Sequence, residues 1–427
     1  MIYCFDLDNT LCITEGNDYE NAVPIASRIK IVNDLYVQGH TIIIETARGG
    51  VSGRNHYYYT VDQLKKWGLK FHTLRTGVKF NADVFVDDKG ISDKEFFDAN
   101  DFKESGSGVN TKLLLVSRVR KEATNERMQK LIDEVKFIEN IPDKFKRHFP
   151  EITHYGEKDG RSYYEMKHYP LPSMRRLIFT NKLTVNDVVR WMGKITAFSI
   201  DLHSHEIIDT PKEYLKFMHW DRFSTRRHEL LSNTKELNDY VLPDNLKING
   251  KTLRNAHLIV EDLMKFNDDF LPPFVGRWSH SDLHFSNVLI DLNANTFRCV
   301  DPRGYPYCDV FYDFGKLYHS VNGKYEMVVN DMWEKNEEFN YEFTRNHYFL
   351  FLEELKGQLK DKVFTKYSPL TTIESTMKLI EFNEAMHFIT LVPFQLTHDG
   401  NEDRAKVAYM IGVELLNAFY DKYYGKD

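Results

Sequence analysis

The sequence predicts an α/β fold in two joined parts, the second of them divided again, and three observations carry that prediction. Short apolar runs alternate with amphipathic stretches over residues 1–100. A polar, Gly/Ser-rich segment, "DANDFKESGSGVN", breaks the pattern at 98–110. From about Val185 onward, apolar residues recur mainly at helical spacing. The expected domains are 1–103, built on a parallel sheet; 104–170, small and mixed α+β; and 171–427, mostly helical.

Each element has a local reason. "IYCF" is a β-type run ending at Asp6, and "HTIIIET" reads as a second buried strand. Between them, residues 22–39 read as a helix, with Ile25, Ile29, Val32 and Leu35 near helical spacing. Val61 to Trp67 reads as a helix closed by Gly68. "ADVFVDD" is a third strand ending in acids. Strands alternating with helices argue for βαβ units and a parallel sheet. Ligands of such sheets sit outside the carboxyl ends of the strands. The polar residues at those ends are Asp6, Asp8, Thr46, Asp87 and Asp88. Beyond the break, "TKLLLVS" is a strand, "ERMQKLIDEVKFIENI" a helix, and Tyr163 to Tyr169 an extended aromatic run. In the helical part, Arg277 to Arg303 is the exception: loop, short strand, turn, short strand.

Bulk properties bound the function. The chain has 427 residues, 42% of them hydrophobic, with a net charge of −7. Its acids and bases are interspersed, so no basic face for nucleic acid is expected. Cys4, Cys12, Cys299 and Cys308 form no CxxC pair, which argues against a zinc knuckle or a disulfide framework. No run approaches a membrane span, and Asp6 and Asp8 interrupt the N-terminal apolar run, against a signal peptide. A reduced, cytoplasmic protein is expected. Oligomeric state is not legible.

"DLDNT" places two carboxylates two residues apart just past a buried strand. One can attack phosphorus; the other can protonate the leaving oxygen and later activate water. A phosphate would be repelled unless a cation such as Mg²⁺ intervened, held by Asp6 and by acids at another strand end. Thr46 offers a hydroxyl to a phosphate oxygen, and Lys79 an ammonium to the charge that develops. With "ETARG", "TGVKFNAD" and "VDDKG" following in order, residues 1–98 resemble the haloacid dehalogenase-like (HAD) phosphatases, within them the small capsule-biosynthesis phosphatases. The resemblance implies a Rossmann-like domain with Asp6 as nucleophile and Asp8 as acid/base. It also implies Mg²⁺ on Asp6, the Asp8 carbonyl and Asp87 or Asp88. Lys79 matches the family's lysine by its place before the last strand, although Lys89 lies close to the acids too.

A second constellation lies in "HSDLHFSNVLID", where Asp282 and Asn287 are five residues apart and Asp301 follows a short strand. Phosphoryl transfer from ATP needs a carboxylate to orient the acceptor hydroxyl and ligands for the metal on the phosphates. Residues 104–427 resemble the aminoglycoside phosphotransferase and choline kinase-like family, whose loop reads H-G-D-x-H-x-x-N. Ser281 stands where that family carries glycine. The resemblance implies a two-lobed, protein-kinase-like domain, with Asp282 as base and Asn287 and Asp301 as Mg²⁺ ligands. His280 and His284 are read as loop-shaping hydrogen-bonders, and Asp313 as a support for the loop. Lys121 is expected at the α/β-phosphates of ATP, held by Glu134, with the backbone of Glu165 to Lys167 at the adenine. A surface lysine and a plain aromatic strand are the bland alternatives. "SGSGVN" reads as phosphate loop, linker or both. Arg303 reads as a substrate-oxygen contact or a loop salt bridge.

The leading expectation is a bifunctional enzyme: a Mg²⁺-dependent phosphatase fused to an ATP-dependent small-molecule kinase. By analogy with the capsule phosphatases, its substrates would be sugar or polyol phosphates of surface-polysaccharide precursor synthesis. The alternatives are a choline- or aminoglycoside-type kinase with a non-catalytic first domain, and a binding protein with two degenerate folds. The first is discriminated by Asp6→Asn on p-nitrophenyl phosphate; the second by Mg²⁺-dependent ATP consumption across alcohols.

Overall fold

A computed structural model describes the chain except residues 1, 17, 38, 51–53, 78–95, 97–110, 116–117, 124–127, 159–160, 234–236, 367–371, 398–400 and 426–427. The expected third strand, the Gly/Ser-rich segment and the boundary at 103/104 lie outside the described residues, as do Lys79, Asp87, Asp88 and Lys89. The chain divides into two units, residues 1–106 with 111–121, and residues 107–110 with 122–427.

In the first unit, β1 (Ile2–Phe5), β2 (Thr41–Thr46) and β3 (Thr73–Thr76) form a sheet in that order, all parallel. Helices α1 (Ala26–Val37) and α2 (Tyr57–Lys66) make the crossovers. This is the βαβαβ pattern that the alternation predicts. Helix α1 buries Ile29, Val32 and Leu35, which join Leu7, Leu11, Ile42, Ile44, Leu64 and Leu74 in one core. Strand β2 alternates, with Ile42, Ile44 and Thr46 buried and their neighbours partly open. It is thus half-covered, not buried on both faces as its apolar run suggested. Strands β4 (Thr111–Leu115) and β5 (Arg118–Ala123) follow.

The second unit opens with α3 (Met128–Asn140) and the antiparallel hairpin β6 (Ile152–Lys158) and β7 (Arg161–Lys167). Helix α4 (Val185–Ser204) starts on a capping box between Thr184 and Asp187. Helices α5 (Asp221–Asn233), α6 (Val310–Val321), α7 (His347–Leu359), α8 (Ile373–Thr397) and α9 (Glu402–Tyr424) build most of the remainder around a large core. All 12 residues of α6 are buried. Its approach to α8 is close: a Cβ on Gly315 would stand 2.6 Å from the Asn383 Cβ. Helical dominance after Val185 is observed, with two antiparallel hairpins the periodicity did not foretell, Asn245–Ile248 with Lys251–Arg254 and Trp333–Glu337 with Asn340–Phe343. The first turns on Asn249–Gly250, both at positive φ (48° and 79°), the dipeptide that best fits such a turn. No described helix is long and apolar enough to cross a membrane.

Candidate functional site

The segment from Trp278 to Arg303 is loop, a short 3-10 turn, β8 (Val288–Asp291) and β9 (Thr296–Cys299), paired antiparallel as the sequence predicts. Its conformation is fixed from beneath by Asp313 of α6. That buried carboxylate accepts the backbone N–H groups of Ser281 (2.7 Å) and His280 (3.3 Å), with the hydroxyls of Ser279 and Ser199 and His203 Nε2 around it. Ionised acceptors hold such donors more strongly than neutral ones. Ser281 sits at φ +60°. That explains physically why glycine suits the position and serine is tolerated with strain of about 1 kcal/mol.

The two histidines differ. His280 Nε2 donates to the Val300 carbonyl (2.9 Å), while its Nδ1 accepts the Asp282 N–H (3.2 Å). Those contacts fix one neutral tautomer, and burial pulls its pKa down. His280 is thus tied into the loop through both ring nitrogens. His284 is buried, but neither ring nitrogen has a hydrogen-bond partner; Glu326 stands 3.8 Å from its Nδ1. A hydrogen-bonding role is not realised there, and ring packing against Tyr325 holds it.

Asp282 is 2% exposed and carries two cations. Arg303 meets Oδ2 through Nε (3.0 Å) and a terminal nitrogen (2.8 Å), and Lys316 Nζ stands 3.1 Å from Oδ1. Burial alone would raise the carboxyl's pKa; Arg303 and then Lys316 overcome it and hold the group well below the usual carboxylate range. A carboxylate has about four acceptor sites, so lone pairs remain for an acceptor hydroxyl. Burial pulls Lys316 down to about 8, against the attraction of Asp282 and with the repulsion of Arg303 and Arg222. Arg303 also donates its backbone N–H to the His280 carbonyl (2.9 Å). The loop salt bridge is thus made. The same arginine lines a cavity of about 290 Å³ together with Arg222 and Arg226.

Asn287 donates Nδ2 to the Asp282 carbonyl (2.9 Å), which leaves Oδ1 as the atom for a cation. Asp301 is buried at φ +61°. Among the described residues no group of three or more His, Cys, Asp or Glu gathers as a metal site. Mg²⁺ needs none, since it takes one or two protein oxygens beside water and nucleotide phosphates. An amide oxygen and a carboxylate suit that ion. Next to Asp301, Gly304 (φ +68°) lies against α3: a Cβ there would stand 2.5 Å from the Asp133 carbonyl oxygen. On the same helix Glu134 is buried and accepts the Tyr164 hydroxyl (2.6 Å). Glu165 is buried and its carbonyl accepts the Thr153 hydroxyl (3.1 Å); the Lys167 N–H donates to the Glu151 carbonyl (2.9 Å). Lys121 in β5 is 4% exposed, so it is not a surface lysine.

In the first unit, Asp6 follows β1, and its Oδ1 accepts the Leu7 N–H (2.9 Å). Asp8 is clamped. Arg48 donates to both its oxygens at 2.6–3.0 Å, with Thr14 (2.8 Å) and Thr46 (2.9 Å) adding hydroxyls. Burial works to raise the Asp8 pKa, but Arg48 and the two hydroxyls lower it overall. This arrangement suits a base, not a proton donor. Thr46 spends its hydroxyl on Asp8, where a phosphate oxygen was expected. Arg48, Lys316, Arg222 and Arg226 were not singled out from sequence. Arg48 lies two residues past Thr46, and Lys316 three past Asp313, so proximity was the available signal.

No protein-family profile matches the chain, and no curated protein does. Among solved structures, the choline kinase LicA from Streptococcus pneumoniae is 11% identical, with 76% of this chain and 97% of that one covered and a TM-score of 0.44. Aminoglycoside phosphotransferase APH(3'')-Id from Streptomyces rimosus is 13% identical over 68% of this chain and 90% of its own, TM-score 0.41. A structural-genomics target from Vibrio cholerae is 24% identical over 22% of this chain and 85% of its own, TM-score 0.21. These scores are too low to place the chain in a family.

Proposed function

We propose that the second unit is an ATP-dependent kinase that phosphorylates a hydroxyl of a small molecule. The observation that carries this reading is Asp282: a buried carboxylate held ionised, on a loop pinned by Asp313, with Asn287 and Asp301 following at kinase-loop spacing. Asp282 orients the acceptor hydroxyl and takes its proton as the new O–P bond forms and the bond between Pγ and the bridging oxygen breaks, releasing ADP. Its depressed pKa makes that proton transfer late, so alignment is its larger contribution. Lys316 and Arg303 keep the carboxylate ionised and in place. Mg²⁺, when bound through Asn287 and Asp301, neutralises phosphate charge. Glu134 and the backbone of Glu165 to Lys167 are proposed to serve the nucleotide, although the Glu165 carbonyl and the Lys167 N–H are already engaged by Thr153 and Glu151. The test is label transfer from γ-labelled ATP to a broad alcohol panel, with Asp282→Asn as control; equal incorporation by both proteins refutes the reading.

For the first unit the proposed activity is phosphate-monoester hydrolysis through an aspartyl-phosphate on Asp6, with Mg²⁺ completed by Asp87 or Asp88 and Lys79 as charge partner. The proposed substrates are sugar or polyol phosphates of surface-polysaccharide synthesis. A second reading, a non-catalytic first unit, is favoured by the Arg48 clamp that denies Asp8 a proton. Hydrolysis of p-nitrophenyl phosphate by the wild type and not by Asp6→Asn supports the first; identical background in both supports the second.

A further inference from the structure

The cavity beside Asp282 has a charge pattern of its own. Arg222, Arg226 and Arg303 line it, with Phe217 and Tyr305, and Glu229 is the carboxylate among the lining residues. Glu229 is already paired with Arg226 at 2.6 Å. Arg303 is paired with Asp282. Among the described residues no carboxylate is bonded to Arg222: it donates to the hydroxyl of Tyr312, a buried phenol whose pKa burial pushes well above the ordinary value, and Asp282 attracts it only through space. Its charge is therefore left for something else. Lys316 stands behind the same carboxylate and adds to the positive field.

We propose that the acceptor is itself an anion, an alcohol carrying a phosphate monoester, seated with its phosphate on Arg222 and its free hydroxyl toward Asp282. This rests on the kinase reading above. A guanidinium fork matches the geometry of a phosphate and binds it through paired hydrogen bonds. Its field inside a walled cavity also concentrates anions. A polycationic acceptor meets the opposite situation. The lining acid is spent on Arg226, and Arg222 repels the incoming charge. Phe217 and Tyr305 offer ring faces of the kind that cage a quaternary ammonium, but the Arg222 guanidinium shares their cavity. The reaction converts a phosphate monoester of a polyol into its bisphosphate, with ATP going to ADP and the hydroxyl proton leaving through Asp282.

The experiment uses the full chain in two arms. Calorimetry without ATP measures binding of glycerol 3-phosphate, ribitol 5-phosphate and glucose 6-phosphate against glycerol, choline and kanamycin. At least one phosphate ester is expected to bind at least tenfold more tightly than choline and kanamycin, with affinity falling as salt rises. Arg222→Gln is expected to weaken it at least tenfold and Arg222→Lys to restore part of the loss, at an unchanged unfolding temperature. If no phosphate ester binds, if choline or kanamycin binds more tightly, or if Arg222→Gln leaves binding unchanged, the inference is overturned. The second arm follows ATP consumption with each compound in wild type and Asp282→Asn. Absence of Asp282-dependent transfer, with anion binding intact, overturns the kinase reading and leaves the anion site standing.

Discussion

Replacing Lys316 by methionine separates function from stability in the second unit. Lys316 is 6% exposed, and its pKa falls from 10.5 to about 8. That displacement corresponds to about 3 kcal/mol by which the folded protein disfavours the charged form. Methionine has a similar length and removes that cost. It also removes the 3.1 Å contact to Asp282 Oδ1, but Arg303 keeps both of its contacts to Oδ2, so the carboxylate is not left unpaired. We expect K316M to be as stable as the wild type at pH 7 or more so, by up to about 3 kcal/mol. Its kcat for phosphoryl transfer should fall on the order of a hundredfold, as when a preorganised charge partner is lost. The sign follows from linkage. Lys316 has a lower pKa folded than unfolded, so the unfolded chain binds the proton preferentially between pH 8 and 10.5 and stability rises with pH across that window. The difference between variant and wild type should shrink accordingly. Wild-type activity should also decline above about pH 8, a limb missing in K316M. Denaturant unfolding at pH 7 and pH 10, with kinetics on the same preparations, checks all of this. A K316M protein destabilised by more than about 3 kcal/mol with kcat unchanged would show instead that Lys316 is a structural strut.

Other expectations follow from single contacts. Asp313→Asn removes the carboxylate acceptor beneath Ser281 and His280; unfolding should show a loss of about 3 kcal/mol, and transfer kinetics a lower kcat. Gly304→Ala meets both a left-handed φ and the Asp133 carbonyl, so it should cost at least 1–2 kcal/mol and displace α3, read as lower stability and a raised KM for ATP. Arg48→Met should raise the Asp8 pKa, measured by NMR titration of the carboxyl. The stability that Asp8 contributes is present above the ordinary carboxylate pKa and lost as pH falls through its depressed folded value. The variant should lose it at higher pH.

What the sequence made legible was local. The acid-rich strand ends and the loop from His280 to Asn287 announced themselves because their groups lie within a few residues of one another. Asp313 was legible as a support only through the resemblance, which implies an acid at that place beneath the loop. The cations were not. Arg222 enters from α5, some eighty residues upstream of Arg303, and only helix packing brings the two to one cavity. Lys316 was hidden because every residue of its helix is buried, so burial does not single it out, although Asp313, Lys316 and Ser320 fall at i, i+3 and i+7 on one face. The hairpin at Asn249–Gly250 was missed for the reverse reason: its turn signal was present, but the surrounding helical periodicity outweighed it. The two histidines share one motif and part company in their partners, which spacing alone does not specify.

Whether Asp282 directs phosphoryl transfer is read from phosphorus NMR of ATP, Mg²⁺ and a polyol phosphate with the full chain. A new phosphate-ester resonance is expected with wild-type protein, and a rate at least about a thousandfold lower with Asp282→Asn. Equal rates in the two proteins, or no new ester with any alcohol tried, would contradict it.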